Sequence, residues 1–173
     1  VHPDAAQLDN MQLVELASAP FSKPRYEALA RVLNLQQDEL KAASMEQAYE
    51  RYYARQLNSS SLVAYGTMLE KLVRGELLSA ESRDLLYGFM KLDSYDNYRL
   101  EAGLPEDVPF IQKTGTQLER ACHVGVIEPQ DERRAIVVVA CAEGLDEGKE
   151  AGSLFEQVGQ AISKALLSEA RRP

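Results

Sequence analysis

The chain has 173 residues, of which 45% are hydrophobic and 27% charged, and it carries a formal charge of −8. That length is enough for one sizeable core and favours a single domain. The negative balance, with Arg171-Arg172 building no basic patch, argues against nucleic acid and anionic membrane as partners, and no apolar run is long enough to span a membrane. The chain starts at Val1 rather than Met, as expected of a processed or truncated product. No targeting segment is visible, and its absence leaves the compartment open.

The N-terminal part reads as helical. Asp9 to Ala17 carries Met11, Leu13, Val14 and Leu16 at helical spacing and stops near Pro20. Pro24 opens a second helix at a favoured first-turn position, with Tyr26, Leu29, Ala30, Val32 and Leu33 as its apolar face. The spacing predicts one longer helical stretch over Gln36–Gln56, in which Tyr49, Tyr52 and Tyr53 read as packing residues rather than a stacking platform. Asn58-Ser59-Ser60-Ser61 supplies the N-cap of the next helix, and Ser79 caps another whose first turn holds Glu81.

After Pro105 the period shortens. Phe110-Ile111, Ala121–Ile127 and Ala135–Ala142 predict three strands, and the unbroken Ile136-Val137-Val138-Val139 run suits a strand covered on both faces. Cys122 and Cys141 flank a hairpin turning near Gln130-Asp131-Glu132 and fall almost opposite each other. They are either two small buried hydrophobes or a disulfide, and a disulfide would indicate an oxidising compartment. Gly152 to Leu167 predicts an amphipathic helix across the sheet. The pattern change separates a mainly helical 1–105 from a strand-and-helix 106–173, together one domain with no repeat or evident linker.

Lys113-Thr114-Gly115, followed by Thr116, closes the first predicted strand. An ammonium, a hydroxyl and a glycine in a row offer charge, a hydrogen-bond donor and close backbone approach to an anion. Three stretches stand in the same order: Gly75-Glu76-Leu77-Leu78-Ser79 with Ser82-Arg83-Asp84-Leu85-Leu86, then Arg99-Leu100-Glu101-Ala102-Gly103-Leu104-Pro105, then Lys113-Thr114-Gly115-Thr116. With these, the chain from Ser60 onward resembles the C-terminal part of the serine β-lactamase and penicillin-binding superfamily, class A β-lactamases above all.

The resemblance implies an α+β fold: an antiparallel sheet of at least three strands, a terminal helix packed on it, and an N-terminal helical subdomain. It implies that Lys113 and Thr114, with Gly115, hold the substrate carboxylate, and that the Thr116 backbone N–H stabilises the oxyanion. The ligand it implies is a small carboxylate or peptide-like molecule, a β-lactam or cell-wall peptide, pairing along the strand edge. The compartment it implies is periplasmic or extracellular.

The family attacks with the serine of Ser-x-x-Lys. No lysine here follows a serine by three, since Pro20, Asp38, Met68, Gly88, Phe110, Asp146 and Ala161 occupy those positions. Leu8-Asp9-Asn10 stands at the expected place of the Ser-Asp-Asn element but lacks its serine, and Asp9 also reads as an ordinary helix cap. The deacylating glutamate with asparagine four residues later is missing, because Ala30 and Ala54 precede Asn34 and Asn58. Glu39, Glu46 and Glu50 read as a solvated helix face. His123 lacks the acidic neighbour seen in related sequences and reads as a packed, hydrogen-bonded residue ahead of a catalytic one. No grouping has metal-ligand spacing and no glycine-rich loop suggests a nucleotide, so no cofactor is expected.

Two family strands that would lie beside the third strand are also missing. Its edge is expected to be covered by a second polypeptide, an oligomer partner or a rearranged N-terminus. Two readings follow. One is the C-terminal portion of a serine hydrolase whose nucleophile lies on another segment; the other is a non-catalytic β-lactamase-like module that binds a peptide or protein at its strand edge. A Ser-x-x-Lys upstream of Val1 in the reading frame would separate them.

Overall fold

The computed structural model describes residues 2–92 and 98–167, and the Arg171-Arg172 pair lies outside them. Three helices build a first unit over residues 1–59. Helix α1 (Asn10–Ser18) begins at Asp9, whose carboxylate accepts from the Gln12 N–H while the Gln12 side chain accepts from the Asp9 N–H. This reciprocal cap satisfies two otherwise orphaned donors. Helix α2 (Lys23–Val32) carries Pro24 in its first turn, and helix α3 (Met45–Ala54) is capped by Ser44.

The long helix expected over Gln36–Gln56 is corrected to a 3-10 turn at Gln37–Glu39 followed, after an interruption, by α3. Leu40 is extended, and the Tyr26 hydroxyl lies within hydrogen-bond distance of the Gln37 and Ala42 carbonyls, at 3.0 and 2.8 Å. That tertiary contact outweighs local helix propensity. Tyr26, Leu29, Ala30 and Leu40 form the core of this unit. Tyr49, Tyr52 and Tyr53 are half-buried and stack in a chain outside that core, with Tyr49 5.6 Å from both the Phe21 and Tyr53 rings.

The second unit spans residues 60–173. Helix α4 (Leu62–Val73) is capped by Ser61, and α5 (Ala80–Lys91) by Ser79. Strands β1 (Phe110–Gln117), β2 (Arg120–Ile127) and β3 (Ile136–Glu143) form an antiparallel sheet in that order. Helix α6 (Lys149–Ile162) follows and continues into a π-helical turn at Ser163–Leu167.

Strand alternation sorts the sheet residues to two faces. Phe110, Ala121, Ile127 and Val138 pack with Phe155 and Ala151 of α6. Ile111, Val124 and Val126 pack with Leu69, Leu72 and Val73 of α4 and Tyr87 of α5. A sheet covered on both faces explains the continuous apolar run in β3. Because α4 and α5 belong to this sheet's core, the compact units divide at Ser59 and Ser60, whereas the sequence pattern changes near Pro105. Among the described residues no strand pairs with the outer edge of β1 or of β3.

Candidate functional site

Lys113, Thr114, Gly115 and Thr116 occupy the exposed half of β1, an edge strand whose one strand neighbour among the described residues is β2. Lys113 lies opposite Val124 on the α4 and α5 face, and its exposed ammonium donates to the Thr114 carbonyl at 2.7 Å. Thr114 and Thr116 share the other face, opposite His123 and Ala121. A ligand lying along this edge therefore meets the ammonium from one side and two hydroxyls from the other.

Behind the edge stands Arg99, to which the sequence pattern alone assigns no role. Its side chain is 2% exposed. One terminal nitrogen donates to the carbonyls of Gly115 (3.2 Å) and Cys122 (2.9 Å), the other to the Thr116 hydroxyl (3.0 Å) and the Glu147 carbonyl (2.9 Å). The guanidinium lies 5.0 Å from the Tyr98 ring centroid and 5.6 Å from that of Phe155. Among the described residues no carboxylate forms an ion pair with it, and its terminal nitrogens are engaged by neutral acceptors. The sequence signal was an arginine amid Tyr98 and Leu100, just before a turn. Arg99 itself takes φ 55°, a left-handed conformation that a non-glycine residue holds where its surroundings impose it.

Two glycines fix that loop. A Cβ on Gly159 would lie 2.2 Å from the Leu100 carbonyl oxygen, and one on Gly103 would lie 2.2 Å from the Glu156 oxygen. Only hydrogen at both positions lets the 3-10 turn Glu101–Gly103 press against α6.

His123 is fully buried, as the packed reading expected. Its Nδ1 accepts from the Leu100 N–H at 3.1 Å, which leaves the ring proton on Nε2, where it meets Gln112 Oε1. Gln112 in turn donates to Glu101 Oε2 at 3.1 Å. The relay ties β1, immediately before Lys113, to β2 and to the Arg99 loop. Its role is to position the strand.

Cys122 and Cys141 are joined by a disulfide between directly paired residues of β2 and β3, one residue pair away from the Lys113 row on the same face. Asp9 and Asn10 belong to the first unit, where the Asp9 carboxylate is engaged in capping α1. Among the described residues no cluster of His, Cys, Asp or Glu has the makings of a metal site, and no helix is long and apolar enough to cross a membrane.

The sequence matches the β-lactamase enzyme family over residues 16–166. The chain belongs to that family. Among solved structures it is similar to a β-lactamase from Xanthomonas campestris pv. campestris, at 24% identity and TM-score 0.54, covering 62% of this chain and 41% of that one. It is also similar to a variant of the last common ancestor of Gram-negative class A β-lactamases (24%, TM-score 0.53, 61% and 40%). A third is a PBP-A mutant captured as an acyl-enzyme with penicillin G (24%, TM-score 0.51, 60% and 38%). These likenesses establish the fold. The chain spans about two fifths of the length of each. No curated protein matches the chain.

Proposed function

We propose that this chain supplies the carboxylate-binding and oxyanion-stabilising part of a β-lactamase-like or penicillin-binding-like serine hydrolase, whose nucleophile stands on a segment outside it. The observation that supports this reading is Lys113-Thr114-Gly115 on a strand edge that is open among the described residues, with the Arg99 guanidinium bonded to Gly115 and Thr116 behind it. The Lys113 ammonium and the Thr114 hydroxyl take the ligand carboxylate. Because the Thr116 hydroxyl oxygen accepts from Arg99, its own proton remains free to donate outward to the same anion.

In this scheme a serine hydroxyl attacks the amide carbonyl carbon. The Thr116 N–H stabilises the oxygen that becomes negative, the C–N bond breaks and the amine leaves with a proton. The ligand's own backbone lies along the β1 edge. The disulfide and the family both support an oxidising compartment, periplasmic or extracellular.

The absence of Ser-x-x-Lys from the chain favours a second reading, in which the same edge binds a peptide or protein without turnover. Amide NMR with benzylpenicillin and with an N-acylated D-Ala-D-Ala peptide tests the common core of both. Saturable shifts centred on Lys113–Thr116, weakened at least tenfold by Lys113→Ala, support the carboxylate site. No shift at these residues with either ligand sinks both readings.

A further inference from the structure

The first unit holds a pocket of about 250 Å³ between the 3-10 turn Pro3–Gln7 and the three helices, and its walls are apolar side chains throughout. Tyr26, Leu29 and Leu40 form a buried floor, while Leu13 at the rim is 47% exposed, so the space is reachable from solvent. Water is a poor occupant, because an ordered molecule needs two to four polar partners. The nearest hydroxyl, that of Tyr26, is already engaged by the Gln37 and Ala42 carbonyls. Ala48, in the wall, leaves unfilled a volume that a larger aliphatic residue would close.

We infer that this pocket is a binding site for a small uncharged aromatic molecule of one or two fused rings. Size sets the upper limit. A dry apolar cavity of about 150 Å³ accepts benzene, so a pocket of this volume scales to roughly ten carbons. Wall chemistry selects aromatic over aliphatic, since the Met45 thioether and the Tyr26 ring both make favourable contacts with an aromatic edge or face. Charge is excluded, because nothing in the walls compensates it. The ligand class therefore differs from the carboxylate proposed for Lys113.

Naphthalene titrated into the full chain, followed through the Met45 methyl signal and the thermal midpoint, tests the assignment. Saturable Met45 shifts and a raised midpoint are expected, with both lost in Ala48→Leu, which fills the space. Should that variant not fold, Ala5→Leu fills it from the opposite wall. The assignment is overturned by the absence of saturable shifts up to the solubility limit. It is equally overturned if a folded, cavity-filled variant binds within tenfold of the parent.

Discussion

The Arg99 guanidinium donates to the Thr116 hydroxyl oxygen at 3.0 Å, from a position 2% exposed to solvent. Its two terminal nitrogens are matched by four acceptors on three separate segments, while its Nε–H has no partner among the described residues. The same bonds that hold the strand end also orient the Thr116 hydroxyl, at the edge where we propose the ligand carboxylate binds. Structure and the proposed chemistry thus rest on one side chain.

Arg99→Met should lower stability by about 1–3 kcal/mol, since it removes charge-assisted donors from part-buried carbonyls. Arg99→Lys should recover only part of this, because a point charge cannot reproduce the planar fork. Urea unfolding midpoints read both. A parental midpoint for Arg99→Met would show that the guanidinium does not hold the strand end.

Gly159→Ala places a Cβ 2.2 Å from the Leu100 carbonyl and must displace the loop that presents Arg99. Overpacking of this kind costs about 1–3 kcal/mol. Gly66→Ala is the control: its Cβ meets Val139 at an ordinary 3.8 Å inside α4, so helix propensity should leave it neutral or slightly stabilising. Thermal midpoints compare the two, and equal behaviour would contradict the close approach.

Much of this architecture was legible in the chain. The α+β class, the three strands and the Ser61 and Ser79 caps follow from period and from capping chemistry, both local. The break at Leu40 was not legible, because it depends on Tyr26, fourteen residues earlier, reaching the Gln37 and Ala42 carbonyls. Lys113-Thr114-Gly115 announced itself as a contiguous motif. Arg99 did not, because its partners Gly115, Cys122 and Glu147 come together only when loop, sheet and α6 are assembled. The relay through His123 and Gln112 is hidden for the same reason.

Burial pushes the Tyr87 phenol above its ordinary pKa, with nearby Arg83 opposing the shift and Asp84 adding to it. The folded state therefore binds the proton more tightly than the unfolded chain. This contribution to stability is intact below about pH 10 and is lost as pH rises through the folded pKa. Its hydroxyl makes no hydrogen bond among the described residues, so Tyr87→Phe forfeits none. The variant should match or exceed the parent at neutral pH and show a shallower alkaline decline in urea unfolding. A loss of more than about 1 kcal/mol at pH 7 would reveal a hydroxyl partner.

The Cys122–Cys141 bridge closes a loop with a sequence separation of 19. Loop-closure entropy assigns such a crosslink about 3 kcal/mol. The Cys122→Ser, Cys141→Ser double variant should unfold at correspondingly lower urea, and alkylation of the denatured parent should label no thiol until a reductant is added. Two thiols labelled without reductant would remove the bridge from the account.

Native mass spectrometry of the protein isolated from its source, with and without penicillin G, tests the central claim most directly. The account predicts a species that contains this chain and gains the mass of one penicillin, with the adduct mapping to a serine outside residues 1–173. Only the 19.3 kDa chain or its oligomers, unmodified after exposure, would contradict it.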